Sequence, residues 1–159
     1  MPALREALED AGFADVATYV QSGNVVLSAK SKPEQTARKV ERVIAERFGL
    51  DVPVVVRTKA ELARVVKKNP LAKVARDPKR YQVSFLVKKL DAPKVRKLEA
   101  AVAGKEQLVV DGREVYAWHD AGVARSKLWA ELAGRGLGVT ATARNWTTVE
   151  KLLELVSQA

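Results

Sequence analysis

The chain contains no cysteine and only one histidine, His119, among its 159 residues. Without thiols it has no disulfide, no thiol nucleophile and no cysteine-ligated zinc or iron–sulfur site. A single histidine also excludes histidine-rich metal sites, and no tight acidic cluster is present to hold magnesium. We therefore predict no metal and no other cofactor.

Long apolar runs are also missing. No stretch approaches the roughly 20 residues that cross a bilayer, and the N-terminal MPALREALED lacks the basic start and apolar centre of a signal peptide. The glycines form no GxGxxG or Walker A loop, because residues 134–138 read GRGLG, which is too short and ends a predicted helix. We expect a cytoplasmic protein with no membrane partner and no nucleotide-hydrolysis or dinucleotide site.

Positive charge is concentrated in one segment. The net charge is +9, yet residues 57–97 hold 14 Lys and Arg against three acids. Such a concentration attracts phosphate backbones. Nucleic acid is therefore a candidate partner, and the predicted contact residues are Lys67, Lys68, Lys73, Arg76, Lys79 and Arg80. The alternative interpretation is a solvated face that keeps the protein soluble.

Hydrophobic periodicity predicts a mixture of helices and strands. The predicted helices cover residues 2–11, 33–48, 59–68, 92–103, 126–136 and the region after a Thr147–Glu150 capping box. The predicted strands cover residues 16–21, 24–29, 52–58, 81–89 and 139–144, with a further hairpin in 107–119 around a type I′ Asp111-Gly112 pair.

This order predicts an α+β fold of two ferredoxin-like (βαββαβ) units in tandem plus a C-terminal helix. The predicted domains are 1–68, a basic linker at 69–80, and 81–159. The first unit lacks its first strand, which should lie inside the sheet, so backbone groups and a sheet edge are left open. We expect a start assigned too far downstream or a fragment; the third alternative is a strand from another chain, which would make the protein an oligomer.

Two short stretches are candidate ligand sites. In TYVQSGNVVLSA, residues 18–29, the side chains of Tyr19, Gln21, Ser22 and Asn24 could bind a ligand at the sheet edge, or could simply build a turn. In the second stretch, Arg144, Asn145 and Trp146 precede a helix, where free N–H groups favour anions. The alternative there is a structural junction, with Trp146 as a hydrophobic staple and Thr147 as the cap.

The hydroxyl of Ser126 and the ring of His119, which is beside Asp120, suggest a Ser-His-Asp arrangement. No nucleophile elbow is present, so we expect Ser126 to cap a helix and His119 to serve the structure.

The QSGNV stretch, the helix that ends at Phe48-Gly49, SKLWAEL (126–132) and TARNWTTVEKLLEL (142–155) together resemble a bacterial family filed as domain of unknown function 1697. Members of that family typically begin with a strand and a Gly-rich loop, and Met1 aligns with a methionine that follows them. The resemblance implies the paired ferredoxin-like fold. It supplies no established activity.

Three functions remain open from the sequence. The first is a nucleic-acid-binding module that uses the basic segment. The second is an enzyme or binding protein for a small anionic ligand between the two halves, where Gln21 and Arg144 would converge. The third is a structural or interaction protein.

Overall fold

The computed structural model describes residues 2–19, 23–133 and 135–158. The helices in these residues are α1 (Pro2–Asp10), α2 (Pro33–Phe48), α3 (Lys59–Lys68), α4 (Ala92–Ala101), α5 (Lys127–Ala133) and α6 (Trp146–Gln158), with a 3₁₀ turn at Arg135–Leu137. The strands are β1 (Ala14–Tyr19), β2 (Asn24–Ser28), β3 (Tyr81–Leu86), β4 (Gln107–Asp111), β5 (Glu114–Trp118) and β6 (Ala141–Asn145). The protein is therefore a mixed α+β protein.

The chain divides into two compact units. The first unit runs to Ala63 and also takes the residues from Glu150 onward, and the second unit is Arg64–Val149. Helices α3 and α6 each contribute residues to both units. The predicted domains 1–68 and 81–159 stay a prediction.

In the first unit, β1 and β2 form a two-stranded antiparallel sheet. Its core contains Leu8 and Phe13 together with Val40 and Val43 of α2. Local signals fix the ends of α2: Pro33 suits a first turn, and Gly49 has a φ of 66° and donates its N–H to the carbonyl of Ala45. The predicted bounds 33–48 are confirmed.

Residues 52–58, predicted as a strand, belong to no strand in the structure. Val54 packs on the same core as β2, and its N–H donates to Glu41 Oε2 at 3.1 Å. A β-branched run favours a strand conformation, but a strand also needs a neighbour to pair with. Within the described residues of this sheet, only β1 and β2 pair.

The second unit contains a four-stranded sheet in the order β4-β5-β3-β6, and every neighbouring pair is antiparallel. Side chains of α4 and α5 cover one face, where Leu98, Leu128 and Leu132 pack on Leu86 and Val115. Among the described helices of the whole chain, none is both long enough and apolar enough to span a membrane.

Two local predictions in the second unit were wrong. Asp111 pairs with Glu114 in the ladder, so the loop is Gly112-Arg113 rather than Asp111-Gly112. Only Gly112 of the two has a positive φ, 58°, which is the pattern of a type II′ turn. Helix α6 begins at Trp146, and its cap is Asn145, whose Oδ1 accepts the N–H of Thr148 at 3.0 Å. The Thr147–Glu150 capping box therefore does not form.

Candidate functional site

An open groove with a volume of about 700 Å³ lies in the second unit and is lined mostly by cations. Five of its eight lining side chains are basic, and one is a carboxylate. We call it the basic groove; its lining residues are Arg64, Lys68, Val87, Lys88, Lys89, Asp111, Gly112 and Arg113.

Three elements build the basic groove. Arg64 and Lys68 are four residues apart on α3, so they share one helix face. This part of α3 is attached to the sheet, because Tyr116 Oη of β5 donates to the Val65 carbonyl at 3.3 Å and the Val65 side chain is buried. Lys88 and Lys89 follow β3 after Val87, and the pairing of β3 with β5 brings them next to the Gly112-Arg113 turn. The Leu86 N–H donates to the Arg113 carbonyl at 2.9 Å.

Two carboxylates lie among these cations. Glu114, only 2% exposed, pairs with Arg64 at 3.5 Å, and Asp111 Oδ2 pairs with Lys68 Nζ at 2.9 Å. Burial, followed by the Glu114 charge, raises the pKa of Tyr116 well above its usual value. Lys88 and Lys89 are exposed, and neither forms an ion pair within the described residues. The basic groove therefore keeps a positive excess that is open to solvent.

The six residues predicted to contact nucleic acid do not lie together on one surface feature and differ in their ion pairs. Only Lys68 lines the basic groove. Arg76 pairs with Asp120 at 3.4 Å, and Arg80 pairs with Asp77 at 3.4 Å and donates to the Asp120 carbonyl. The remaining three are exposed and form no ion pair among the residues described: Lys67, Lys73 and Lys79. Their role in binding stays a prediction.

The segment 69–80 belongs to the second unit and is hydrogen-bonded to other parts of that unit at several points. Tyr81 Oη donates to Asn69 Oδ1 at 2.9 Å. The N–H of His119 donates to the Arg80 carbonyl at 2.9 Å, and the N–H of Trp146 donates to the Pro78 carbonyl at 3.2 Å. These bonds fix the backbone that carries Lys73, Arg76, Lys79 and Arg80.

At the junction of β6 and α6, the predicted site residues contact the protein itself. The Trp146 ring stacks on Tyr81, with centroids 4.7 Å apart and planes 16° apart, and is 7% exposed. Arg144 Nη1 donates to Thr142 Oγ1 and to the Ala143 carbonyl, and burial lowers the pKa of Arg144. Asn145 caps α6. The ligand-binding role of these three residues stays a prediction.

The other predicted ligand site lies only partly within the described residues. Tyr19 and Asn24 are the last pair of the β1-β2 ladder, and Asn24 Nδ2 donates to the Tyr19 carbonyl at 3.1 Å. Asn24 is buried, while Tyr19 is partly exposed. Gln21 and Ser22 lie outside the described residues, so the predicted convergence of Gln21 with Arg144 stays untested.

His119 and Ser126 do meet, but together with Glu106 and not in a Ser-His-Asp triad. His119 Nδ1 is 2.9 Å from Ser126 Oγ and 3.3 Å from Glu106 Oε2, and Ser126 donates to the same carboxylate. Ser126 Oγ also accepts the Trp129 N–H at 3.0 Å, which is a helix cap. His119 is fully buried, and the cluster is tied to the start of α5 through the Ser126 cap.

The sequence showed the excess of charge but not which cations would meet. Arg64, Lys88 and Lys89 lie in the basic segment, yet were not singled out, and Arg113 lies outside it. Their meeting depends on the pairing of β3 with β5, which is not local in sequence.

In the described residues, no three His, Cys, Asp or Glu side chains are grouped so that they could hold a metal ion.

Comparison with known proteins supports the fold and gives the family. A conserved bacterial protein of Streptococcus pneumoniae is similar in structure, with a TM-score of 0.77, 21% identity, and coverage of 98% of this chain and 88% of that one. At this identity the likeness establishes the fold alone. No curated protein matches the chain. The family model described as "Protein of unknown function (DUF1697)" matches residues 1–116. The chain therefore belongs to the DUF1697 family, as its QSGNV stretch and the helix ending at Phe48-Gly49 had indicated.

Proposed function

We propose that this protein binds the phosphate backbone of nucleic acid through the basic groove. The observation that carries the proposal is the group of five cationic side chains around one open groove, with Asp111 as the single lining carboxylate. Phosphate contacts of this kind supply affinity without sequence preference. A groove that is open along one side suits a polymer better than it suits a small molecule, which most often binds in an enclosed pocket.

The cations of the basic groove have different roles in phosphate binding. Lys88 and Lys89 are the primary phosphate contacts, since neither has an ion pair to give up within the described part of the chain. Lys68 must first leave Asp111, whose carboxylate competes with phosphate for the same ammonium group. Arg64 forms an ion pair with the buried Glu114, so its guanidinium stays in one position at the groove.

Fluorescence anisotropy with labelled single- and double-stranded DNA and RNA, from low to physiological salt, tests the proposal. Replacing Lys88 and Lys89 with glutamine should weaken binding for every sequence and reduce the slope of log K against log salt by about 2. Two exposed lysines outside the basic groove, Lys105 and Lys127, give the matched control when both are changed to glutamine.

The Asp111→Asn variant should change nucleic-acid affinity in the opposite direction. It removes the negative charge that holds Lys68, so binding should become tighter by about threefold to tenfold at low salt. A loss of structure cannot mimic this gain. Failure of all four oligonucleotides to bind at low salt would reject the proposal and favour the solubilising face.

We also propose that the two units are copies of one ferredoxin-like plan, the first without its first strand. Support comes from the element order: β3-α4-β4-β5-α5-β6 is βαββαβ, and α1-β1-β2-α2 followed by residues 52–58 repeats it without the initial strand. In the second unit β6 pairs with β3. A first unit that lacks the equivalent of β3 would leave residues 52–58 without a strand to pair with, and within the described residues this segment belongs to no strand.

A second candidate function is that of an interaction protein. Among the described residues the first sheet contains only β1 and β2, so each strand has an open edge that could pair with a strand of another chain. Light scattering during size-exclusion chromatography tests it: a concentration-dependent dimer would support strand exchange between copies, and a monomer across the accessible range would count against it.

The alternative of a small anionic ligand at Gln21 and Arg144 stays a prediction, which titration with inorganic phosphate would test.

A further inference from the structure

A second cavity, of about 260 Å³, lies in the second unit between α5 and the edge strand β6. It shares no lining residue with the basic groove. Seven of its nine lining residues have apolar side chains; the lining residues are Ser84, Trp129, Leu132, Ala133, Leu137, Val139, Ala141, Thr142 and Ala143. We call it the Ser84 pocket.

Small side chains explain why this space is empty. Ser84 pairs with Ala143 of β6 and with Val115 of β5, so it lies at the centre of the sheet. Alternation along β3 places Ser84 on the same face as Leu86, which packs in the core with α4 and α5. On β6, Ala141 and Ala143 carry only methyl groups beneath α5, whereas protein interiors are otherwise close-packed.

The Ser84 hydroxyl is the feature that indicates a ligand. Ser84 is 1% exposed, and within the described residues no side-chain hydrogen bond involves its hydroxyl. Ser84 lines the pocket, and its side chain lies on the face of β3 that packs against α5, so the hydroxyl borders the pocket space. Buried hydroxyls normally have a partner, and an oxygen atom of a bound molecule would supply one.

The lining narrows the chemistry further. No charged side chain is among the described residues that line the pocket. A charged ligand would therefore lose its hydration there without a compensating partner. An engineered apolar cavity of about 150 Å³ accepts benzene, so the larger Ser84 pocket has room for a substituted ring.

We propose that the Ser84 pocket binds a small, uncharged, single-ring molecule whose one oxygen atom hydrogen-bonds to the Ser84 hydroxyl. This site is independent of nucleic-acid binding. Suitable probes are phenol and toluene, which have nearly the same shape and differ by a hydroxyl and a methyl group.

Protein NMR reports on the site directly, since Trp129 lines the pocket while the other two tryptophans, Trp118 and Trp146, do not. Phenol should shift the indole N–H resonance of Trp129, with a Kd of about 1 mM as an order of magnitude for seven non-hydrogen atoms. The resonances of Trp118 and Trp146 should stay in place.

Two variants test the geometry. Ala143→Leu fills the pocket and should weaken both probes at least about tenfold, whereas Ala130→Leu on the exposed side of α5 should change them less than about twofold. Ser84→Ala should lower the ratio of phenol to toluene affinity about fivefold, because it removes one hydrogen bond.

Each of three outcomes would overturn the proposal: no shift of Trp129 with either probe at about 10 mM, unchanged binding in Ala143→Leu, or an unchanged affinity ratio in Ser84→Ala. Circular dichroism confirms that each variant is folded. If Ala143→Leu does not fold, the affinity ratio in Ser84→Ala decides, since that change removes a single buried oxygen.

Discussion

At the scale of single residues, His119 is the buried group with the clearest consequence for stability. Its ring is fully buried beside Glu106 and Ser126, and its Nε2 has no hydrogen-bond partner within the described residues. Burial lowers its pKa below the usual 6.5, and the Glu106 carboxylate only partly opposes that shift. The folded protein therefore resists protonation of this ring.

This predicts a loss of stability in mild acid. Because the unfolded chain takes up the proton first, the free energy of unfolding should fall as the pH drops below about 6.5 and should not depend on this group above that pH. Urea unfolding between pH 5 and 8, where ordinary carboxylates stay ionised, measures the slope. His119→Phe should flatten the curve; an identical slope in the variant would contradict the assignment.

Asn145 carries a second prediction at this scale. Its side chain is the cap of α6, so Asn145→Ala should lower the free energy of unfolding by about 1 kcal/mol. Asn145→Asp keeps an acceptor at the same place and is the matched control. Equal losses in both variants, measured by urea unfolding, would mean that the cap contributes nothing.

At the scale of elements, the Gly112-Arg113 turn joins β4 and β5 and forms one side of the basic groove. A Cβ at Gly112 would meet no atom within 4 Å, but its φ of 58° strains other residues. Gly112→Ala should therefore lower the free energy of unfolding by about 1 kcal/mol. Urea unfolding measures the change, and an unchanged free energy in the variant would contradict the positive φ of this turn.

The segment 52–58 and the strand β3 should differ sharply in hydrogen exchange. Strand β3 pairs on both sides, with β5 and β6, so its amides should exchange slowly. Residues 52–58 belong to no strand, and their amides should exchange faster than those of β3. The amides of Val54 and Thr58 should be the slowest of the segment, because they donate to Glu41 and Glu61. Protection of the whole segment at the level of β3 would show that it is paired in solution.

These elements also show where the sequence was sufficient. The bounds of α2 and α3 could be predicted because their signals are local: Pro33 and Gly49 for the first, Asn69-Pro70 after the second. The strand at 52–58 could not be excluded, because pairing depends on a distant neighbour. The excess of charge was visible in the sequence, because it needs only a count of residues. That Lys88 lies near Arg113 could not be predicted, because it depends on the pairing of β3 with β5.

At the scale of the whole molecule, charge is the property that a partner would recognise. The segment 57–97 carries 14 Lys and Arg against three acids, and four of these cations line the basic groove: Arg64, Lys68, Lys88 and Lys89. Other cations of the segment are neutralised locally, such as Arg76 and Arg80 by neighbouring carboxylates. Nucleic-acid binding should therefore depend on the basic groove more than on the total charge.

The most direct test of this account is the salt dependence of oligonucleotide binding by the wild-type protein and the Lys88→Gln/Lys89→Gln variant. We expect log K of the wild type to fall with log salt with a slope between about −2 and −4, and the variant to lose about two units of that slope. The Lys105→Gln/Lys127→Gln control should keep it. Equal slopes in all three proteins, or no binding at low salt, would contradict a phosphate-binding groove in this protein.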